Sequence, residues 1–258
     1  MKDLIRACLR RLGYDLVRYR PARDPVDLLV DLSEDERLIL RAARPFTMTS
    51  LDRLAAVIRA VEHVVRSGVP GDLAECGVWR GGSMMAAALA LRSLGDTGRT
   101  LYLFDTYEGM AAPTGRDRSF DGRGAQSLLS EAQSGTGIWC HADLEDVRRN
   151  LLSTGYPAEK IVFVKGKVEE TIPAQAPRQL SLLRLDTDWY ESTRHELAHL
   201  YPRLSCGGAL IIDDYGHWQG AREAVDEYLS RQPAPVFLHR IDYTGRIAVK
   251  PFPPAPGP

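Results

Sequence analysis

Two apolar runs in this chain of 258 residues each end on a pair of acids. Residues 181–190 read SLLRLDTDWY, so Asp186 and Asp188 follow Leu182, Leu183 and Leu185. Residues 207–216 read GGALIIDDYG, so Asp213 and Asp214 follow Leu210, Ile211 and Ile212. Carboxylates brought together raise one another's pKa unless a positive charge lies between them. Hard oxygen donors at this density suit Mg²⁺, which prefers carboxylates and keeps part of its water shell. Asp186, Asp213 and Asp214 are therefore the expected metal ligands. Open positions on such an ion take two neighbouring hydroxyls of a substrate and make one of them more acidic. Asp188 is the expected general base, because alternate residues of a strand face the same way. His217 is a rival base. Trp189, Tyr190, Tyr215 and Trp218 either wall a ring-shaped substrate or belong to the core. Each acid pair alone also reads as an ordinary cap; the two together favour a metal.

A Gly-rich stretch with an acidic start, ECGVWRGGS at residues 75–83, lies between an apolar run and a helical pattern. Its glycines let the backbone turn tightly and approach a ligand. The helix start offers free N–H groups to a carboxylate or phosphate. The dinucleotide fingerprint G-x-G-x-x-G is absent, since three residues separate Gly77 from Gly81. A nicotinamide oxidoreductase is thereby disfavoured. Glu75 ahead of Gly77 suits an ammonium group, such as that of a methionine moiety. Asp105, in LFDTYEGM, closes the next apolar run and is placed to accept two ribose hydroxyls. The run after that ends in VKGKVEE, which puts Val168 and Glu169 at an adenine edge. Amino-acid end, ribose and adenine, in that order, spell S-adenosylmethionine.

These residues need strands that end where they stand. GDLAECGV, RTLYLFDTYEG, KIVFVKGKVEETI, LSLLRLDTD and GGALIIDDYG read as strands, separated by the helical patterns GGSMMAAALALRSLG, LEDVRRNLLSTG and STRHELAHLYPRL. AREAVDEYLSRQ follows as a last helix, and VFLHRIDYTGRIAVK reads as an antiparallel hairpin around Thr244 and Gly245. Alternation of this kind predicts an α/β fold with a doubly wound, mostly parallel sheet. Ligands of such sheets sit beyond the carboxyl ends of the strands, where Glu75, Asp105 and the four later acids fall. Upstream, Ser33 with Glu36 forms a capping-box pattern. TMTSLDRLAAVIRAVEHVVRSG reads as a long helix capped by Ser50 or Thr49, with Leu54, Val57, Ile58, Val61, Val64 and Val65 on its buried face. The polar, Gly-rich stretch 111–137 is expected to be a mobile lid rather than packed core. Residues 1–44 are expected to form a helical extension, 45–250 the main domain and 251–258 a disordered tail.

The chain carries 33 Lys and Arg against 34 Asp and Glu, a net charge of −1, so no global field favours nucleic acid. The four cysteines are scattered without a CxxC pair, which disfavours a thiolate zinc site and a disulfide framework and fits a reducing cytoplasm. No apolar run reaches the ~20 residues of a membrane span. Residues 1–20 hold six basic side chains against two acids, with Leu4, Ile5, Cys8, Leu9 and Leu12 at helical spacing. This basic amphipathic helix either packs on its own domain or a dimer mate, the commoner case, or makes contact with an anionic membrane surface.

ECGVWRGGSMM, FDTYEGM, LRLDTDWYESTRHELAHLYPRLSCGGALIIDDYG and GAREAVDEY, in this order, resemble the macrocin O-methyltransferase family, over about residues 45–230. That family acts on deoxysugars of macrolides and of the aminocoumarin novobiocin. The resemblance implies a class I, Rossmann-like methyltransferase fold, S-adenosylmethionine and Mg²⁺ as cofactors, and a tendency to form homo-oligomers. It carries the metal ligands to Asp186, Asp213 and Asp214 and the base to Asp188. It carries cofactor contacts to Thr47 and Met48, to Glu75, Cys76, Gly77, Val78 and Trp79, and to Asp105, Thr106, Tyr107, Glu108 and Gly109. The spacing E-x-G-x-x-x-G-x-S is similar to that of catechol O-methyltransferases and implies Ser83 at the methionine carboxylate. Phe46 stands where family members often have Tyr, and the basic leader resembles that of enzymes that modify surface polysaccharides. The expected acceptor is thus a glycosidic sugar of a natural product or a surface glycan. A catechol or small phenol, and a non-catalytic S-adenosylmethionine-binding scaffold, are the alternatives.

Overall fold

The computed structural model describes residues 10, 11, 13, 24–133 and 141–253, and divides the chain into two units, Met1–Leu32 and Ser33–Pro258. The expected basic helix over 1–20 and the tail after 253 lie almost wholly outside the described residues. In the first unit, a short 3₁₀ turn at Pro25–Leu28 is capped by Asp24, whose carboxylate accepts the Val26 N–H at 3.1 Å.

The second unit opens with helix α1 (Glu34–Ala43). Its capping box forms as the sequence predicts: Ser33 Oγ accepts the Glu36 N–H at 3.2 Å, and Glu36 Oε2 accepts the Ser33 N–H at 2.7 Å. Although read from sequence as part of the N-terminal extension, α1 packs against the helix Gly82–Ser93 within this unit. Helix α2 (Leu51–Arg66) starts at Ser50, whose Oγ accepts the Arg53 N–H at 3.1 Å. Leu54, Val57, Ile58, Val61 and Val64 are buried as the 3.6-residue period requires, while Val65 is half-buried.

There follow β1 (Asp72–Cys76), α3 (Gly82–Ser93), β2 (Leu101–Asp105), α4 (Ala125–Gln133), α5 (Leu144–Ser153), β3 (Ile161–Lys165), the single turn α6 (Val168–Thr171), β4 (Leu180–Leu185), α7 (Tyr190–Leu200), β5 (Leu204–Ile212), α8 (Gln219–Leu229), β6 (His239–Arg240) and β7 (Arg246–Val249). The seven strands form one sheet in the order β3-β2-β1-β4-β5-β7-β6. β1 to β5 are parallel; β7 runs antiparallel to β5 and β6, the expected terminal hairpin. Strand order reverses between β1 and β4, and β4 is buried along its whole length, as a central parallel strand must be. One core cluster joins Ala74, Cys76, Leu183, Leu185, Leu210 and Ile212 to Leu197 and Val225.

The stretch 111–137 differs from expectation. Residues 125–133 form α4, and Ala125 and Leu129 pack with Trp189, Trp218 and Ala221 in a second apolar cluster. Asp117, 1% exposed, accepts the N–H and hydroxyl of Thr114 and the N–H of Tyr190 at 2.8 Å, and Ser119 bridges to Trp218. The segment is docked on the starts of α7 and α8. Its polar composition concealed this because Asp117, besides bonding the nearby Thr114, accepts the Tyr190 N–H, which only the fold brings near. Residues 134–140 lie outside the described residues.

One close approach sets the geometry of the carboxyl edge. Gly77 has φ 79°, and a Cβ there would lie 1.9 Å from the Asp186 carbonyl oxygen. The Asp186 N–H donates to the Cys76 carbonyl at 2.8 Å, so the turns after β1 and β4 touch through backbone alone. Gly77→Ala must part them and adopt a left-handed backbone. We expect it to lower unfolding stability by about 2 kcal/mol or more, measured by urea denaturation; an unchanged midpoint would contradict this packing.

Candidate active site

The positive charge that the acid pairs demand is supplied from within the chain. Arg184, on β4, is 2% exposed and has Glu75 beside it in register on β1. Its Nη1 donates to Glu75 and to Asp186 Oδ2 at 2.7 Å, and its Nη2 donates to Asp213 Oδ1 at 2.5 Å. A second guanidinium, Arg53 of α2, donates from Nη1 to Asp213 Oδ2 and from Nε to Asp242 Oδ2 at 3.0 Å. Sequence reading assigned neither arginine. Arg184 left one signal: a cation inside the apolar run SLLRL is unfavourable unless paired. Arg53 left none, since an arginine in the first turn of an amphipathic helix is ordinary.

Two cations do not neutralise the cluster. Carboxylate oxygens of Asp186, Asp213 and Asp214 lie within 4.8 Å of one another. Burial, opposed by Arg184, brings Asp186 up to about 6. Burial, then repulsion from Asp188 and Asp186, holds Asp214 well above the usual carboxylate range. Burial and the charge of Asp186 push Asp188 up to about 7. Glu75 is raised to about 8 by burial, against the pull of Arg184.

Asp188 reaches this cluster by a route other than the expected one. β4 ends at Leu185, and Asp188 stands in a turn with φ 66°. Both Asp186 and Asp188 line the same cavity, but a left-handed turn brings them there rather than strand alternation. The Asp188 N–H donates to Asp214 Oδ2 at 3.0 Å, and Trp218 Nε1 donates to Asp188 Oδ1 at 2.6 Å. Trp218 meets Trp189 edge to face at 4.9 Å, and Trp189 Nε1 donates to the Ala111 carbonyl at 2.8 Å. Both indoles are buried, and Trp189 also borders the cavity. The rival base His217 shares a hydrogen bond with the Tyr243 hydroxyl and stacks among Phe120, Trp218 and Tyr243.

The same cavity is lined by Thr47, Met48, Glu75, Gly77, Val78, Trp79 and Ser83. Asp105, Thr106 and Gly109 line it from β2, and Val168 and Glu169 from the start of α6. Asp105 also braces the glycine turn: its Oδ2 accepts the N–H groups of Val78 and Trp79 at 2.6 and 3.2 Å. Four expected site residues are not among the lining residues: Asp214 of the metal set, which is buried and accepts the Asp188 N–H, and three of the cofactor set. Cys76 is buried in the core; Tyr107 is buried with its hydroxyl on the Leu103 carbonyl; Glu108 is exposed and pairs with Lys165. Trp79, Tyr107 and Asp188 are the non-glycine residues with positive φ among the described residues. They follow β1, β2 and β4, and such backbone strain gathers at functional edges.

Residues 33–249 match the model of the macrocin O-methyltransferase (TylF) family. The chain belongs to this family. It is therefore an O-methyltransferase. An 8-demethyl-8-(2,3-dimethoxy-alpha-L-rhamnosyl)-tetracenomycin-C 4'-O-methyltransferase of Streptomyces olivaceus is 36% identical over 249 residues, covering 95% of this chain and 91% of the relative. A mycinamicin III 3''-O-methyltransferase of Micromonospora griseorubida is 35% identical over 77% of this chain and 76% of its own. Among solved structures, the O-methyltransferase NovP superposes with a TM-score of 0.70 at 32% identity, over 80% of this chain and 83% of that one. The calicheamicin methyltransferase CalS11, at 19% identity and a TM-score of 0.57, shares the fold.

Beneath the acid turn of this macrocin O-methyltransferase family member lies a further acid. Glu196 of α7 is fully buried; its Oε1 accepts the Thr187 hydroxyl at 3.0 Å, and Cys76 is its neighbour. Burial, with added repulsion from Glu169 and Asp186, keeps its carboxyl protonated well above the usual range. The folded state thus holds a proton that the unfolded chain releases above about pH 4.3, so this residue lowers stability as pH rises, by up to ~1.4 kcal/mol per pH unit. Glu196→Gln keeps the shape and the bond to Thr187 without the proton. Denaturation at about pH 5 and about pH 8 should show the variant gaining on the wild type at the higher value. A constant difference across that range would show that Glu196 is ionised in the fold.

Proposed function

We propose that this enzyme transfers a methyl group from S-adenosylmethionine to a hydroxyl of a glycosidic sugar on a natural product or glycan, with Mg²⁺ at the acid cluster. One observation carries the reading: a single cavity is lined both by the glycine turn with Asp105 and by Asp186, Asp188 and Asp213. A donor held by the first set and an acceptor held by the second would meet inside it. The relative named for a rhamnosyl group supports a sugar acceptor.

The donor set fits a hard divalent cation: three carboxylates within 4.8 Å, two of them raised by burial first and by neighbouring acids second. Asp186, Asp213 and Asp214 would hold it. When bound, S-adenosylmethionine supplies the methyl on a sulfonium, and the cation supplies positive charge that orients two vicinal hydroxyls. Gly77, Val78, Trp79 and Ser83 would receive the amino-acid end, Asp105 the ribose, and Val168 and Glu169 the adenine, with Thr47 and Met48 closing the wall. A carboxylate oxygen of Asp188 takes the proton from the acceptor hydroxyl. Trp218 holds Asp188 Oδ1 and is a positioning residue, while the indole of Trp189 helps keep water from the acceptor end. The cytoplasmic location and homo-oligomeric state expected above belong to the same reading; sedimentation checks the latter.

Asp188→Asn should leave S-adenosylmethionine affinity unchanged and reduce turnover by about 100-fold or more; retained turnover would remove Asp188 as the base. Trp218→Phe should lower kcat by about ten-fold without altering cofactor affinity, if the indole N–H steers the base. Chelation by EDTA should abolish methyl transfer and Mg²⁺ restore it, and activity indifferent to EDTA would dismiss the ion. A panel of glycosides and catechols tests the acceptor, and turnover confined to catechols would replace the sugar reading.

A further inference from the structure

Asp213 is the ligand candidate with no oxygen left to itself. Its Oδ1 accepts from Arg184 Nη2 at 2.5 Å and from Thr49 Oγ1 at 3.3 Å, and its Oδ2 accepts from Arg53 Nη1. A cation that uses Asp213 must therefore draw it partly away from a guanidinium. The two arginines are not equally able to yield. Arg184 is gripped by Glu75, Asp186 and Asp213, and its side chain is 3% exposed. Arg53 is 14% exposed, borders the cavity, and already holds a second carboxylate, Asp242, through Nε. Ser50 holds that carboxylate in place, its hydroxyl donating to Asp242 Oδ2 at 2.6 Å, and the N–H groups of Thr244 and Gly245 donate to Oδ1 at 2.9 and 2.7 Å. Leaving Asp213 would thus not leave Arg53 unpaired.

We infer that Arg53 is an exchangeable internal counter-ion, which neutralises Asp213 in the metal-free protein and withdraws to Asp242 when a divalent cation arrives. This rests on the metal reading above and adds a residue to it. Arg53 then competes with the ion in two ways. It occupies Asp213 Oδ2, and its charge repels a dication held a few ångströms away. The arrangement weakens metal binding while keeping the metal-free cluster from flying apart. Asp242, in the turn between β6 and β7, is the parking site, so that turn becomes part of the metal response.

The test is a calorimetric titration of Mn²⁺ into the full chain without cofactor, for wild type, Arg53→Met, Arg53→Lys and Asp242→Asn. Arg53→Met keeps most of the stem and removes the charge; it should bind Mn²⁺ about ten-fold more tightly or better. Arg53→Lys, with charge kept, should stay within a few-fold of wild type. Asp242→Asn, which weakens the parking site, should bind about ten-fold less tightly. Thermal unfolding of the metal-free proteins gives a second readout: Arg53→Met should melt below wild type, and saturating Mn²⁺ should narrow the gap. Equal or weaker Mn²⁺ binding by Arg53→Met would overturn the inference while leaving the metal reading intact. If neither wild type nor Arg53→Met binds Mn²⁺, the metal reading itself falls and this inference with it. Binding by Arg53→Met alone would be the strongest support.

Discussion

A guanidinium buried at the carboxyl edge of the sheet is the constraint around which the rest of the site is arranged. Arg184 projects from a central strand that is buried along its length, where an unpaired cation would be untenable. It is tolerated because Glu75 on β1, Asp186 just past β4 and Asp213 just past β5 all reach it. The dependence is mutual, since the buried Glu75 and Asp213 and the half-buried Asp186 would repel one another without it. The pairing also clamps the two halves of the sheet at the point where strand order reverses. Such a reversal opens a crevice in any doubly wound fold, and here the same ion network lines it.

The network is deliberately short of positive charge. Glu75, Asp186, Asp188, Asp213 and Asp214 face two arginines, and burial leaves several of these acids holding protons toward neutrality. Structural ion clusters are ordinarily balanced, because uncompensated buried charge costs several kcal/mol. An imbalance retained beside a cavity fits a site that takes up a cation or a proton during its work. The backbone agrees: the turns after β1, β2 and β4 each carry a non-glycine residue in the left-handed region. Rigid strands below and strained turns above hold the reactive side chains at defined positions. The two buried indoles, each with its N–H satisfied, then tie the docked segment 111–133 to the acid end.

Much of the architecture was legible because it depends on local pattern. Alternating strands and helices gave the parallel sheet, Ser33 and Glu36 announced α1, and Thr244 with Gly245 announced the final hairpin. The acids at strand ends were legible too, since carboxylates after apolar runs must lie at the sheet edge. Less legible was anything resting on contacts between distant segments. The stretch 111–137 reads as loop because Gly, Ser and charged residues conceal α4 and the buried Asp117. Asp188 lines the cavity beside Asp186, but through a turn and not through strand alternation, as strand geometry ends three residues before it.

The residue types and their order thus determined by themselves that this is a doubly wound α/β chain with acids gathered at one edge, and its motifs sufficed to mark it as a methyltransferase. Periodicity, capping and turn chemistry act over a few residues, so they survive in a linear reading. Tertiary structure alone decided what compensates those acids. Arg53 lies 160 positions from Asp213, and Glu75 lies 109 from Arg184. Electrostatic balance is a property of three-dimensional neighbours and of burial, neither of which has a signature in local sequence.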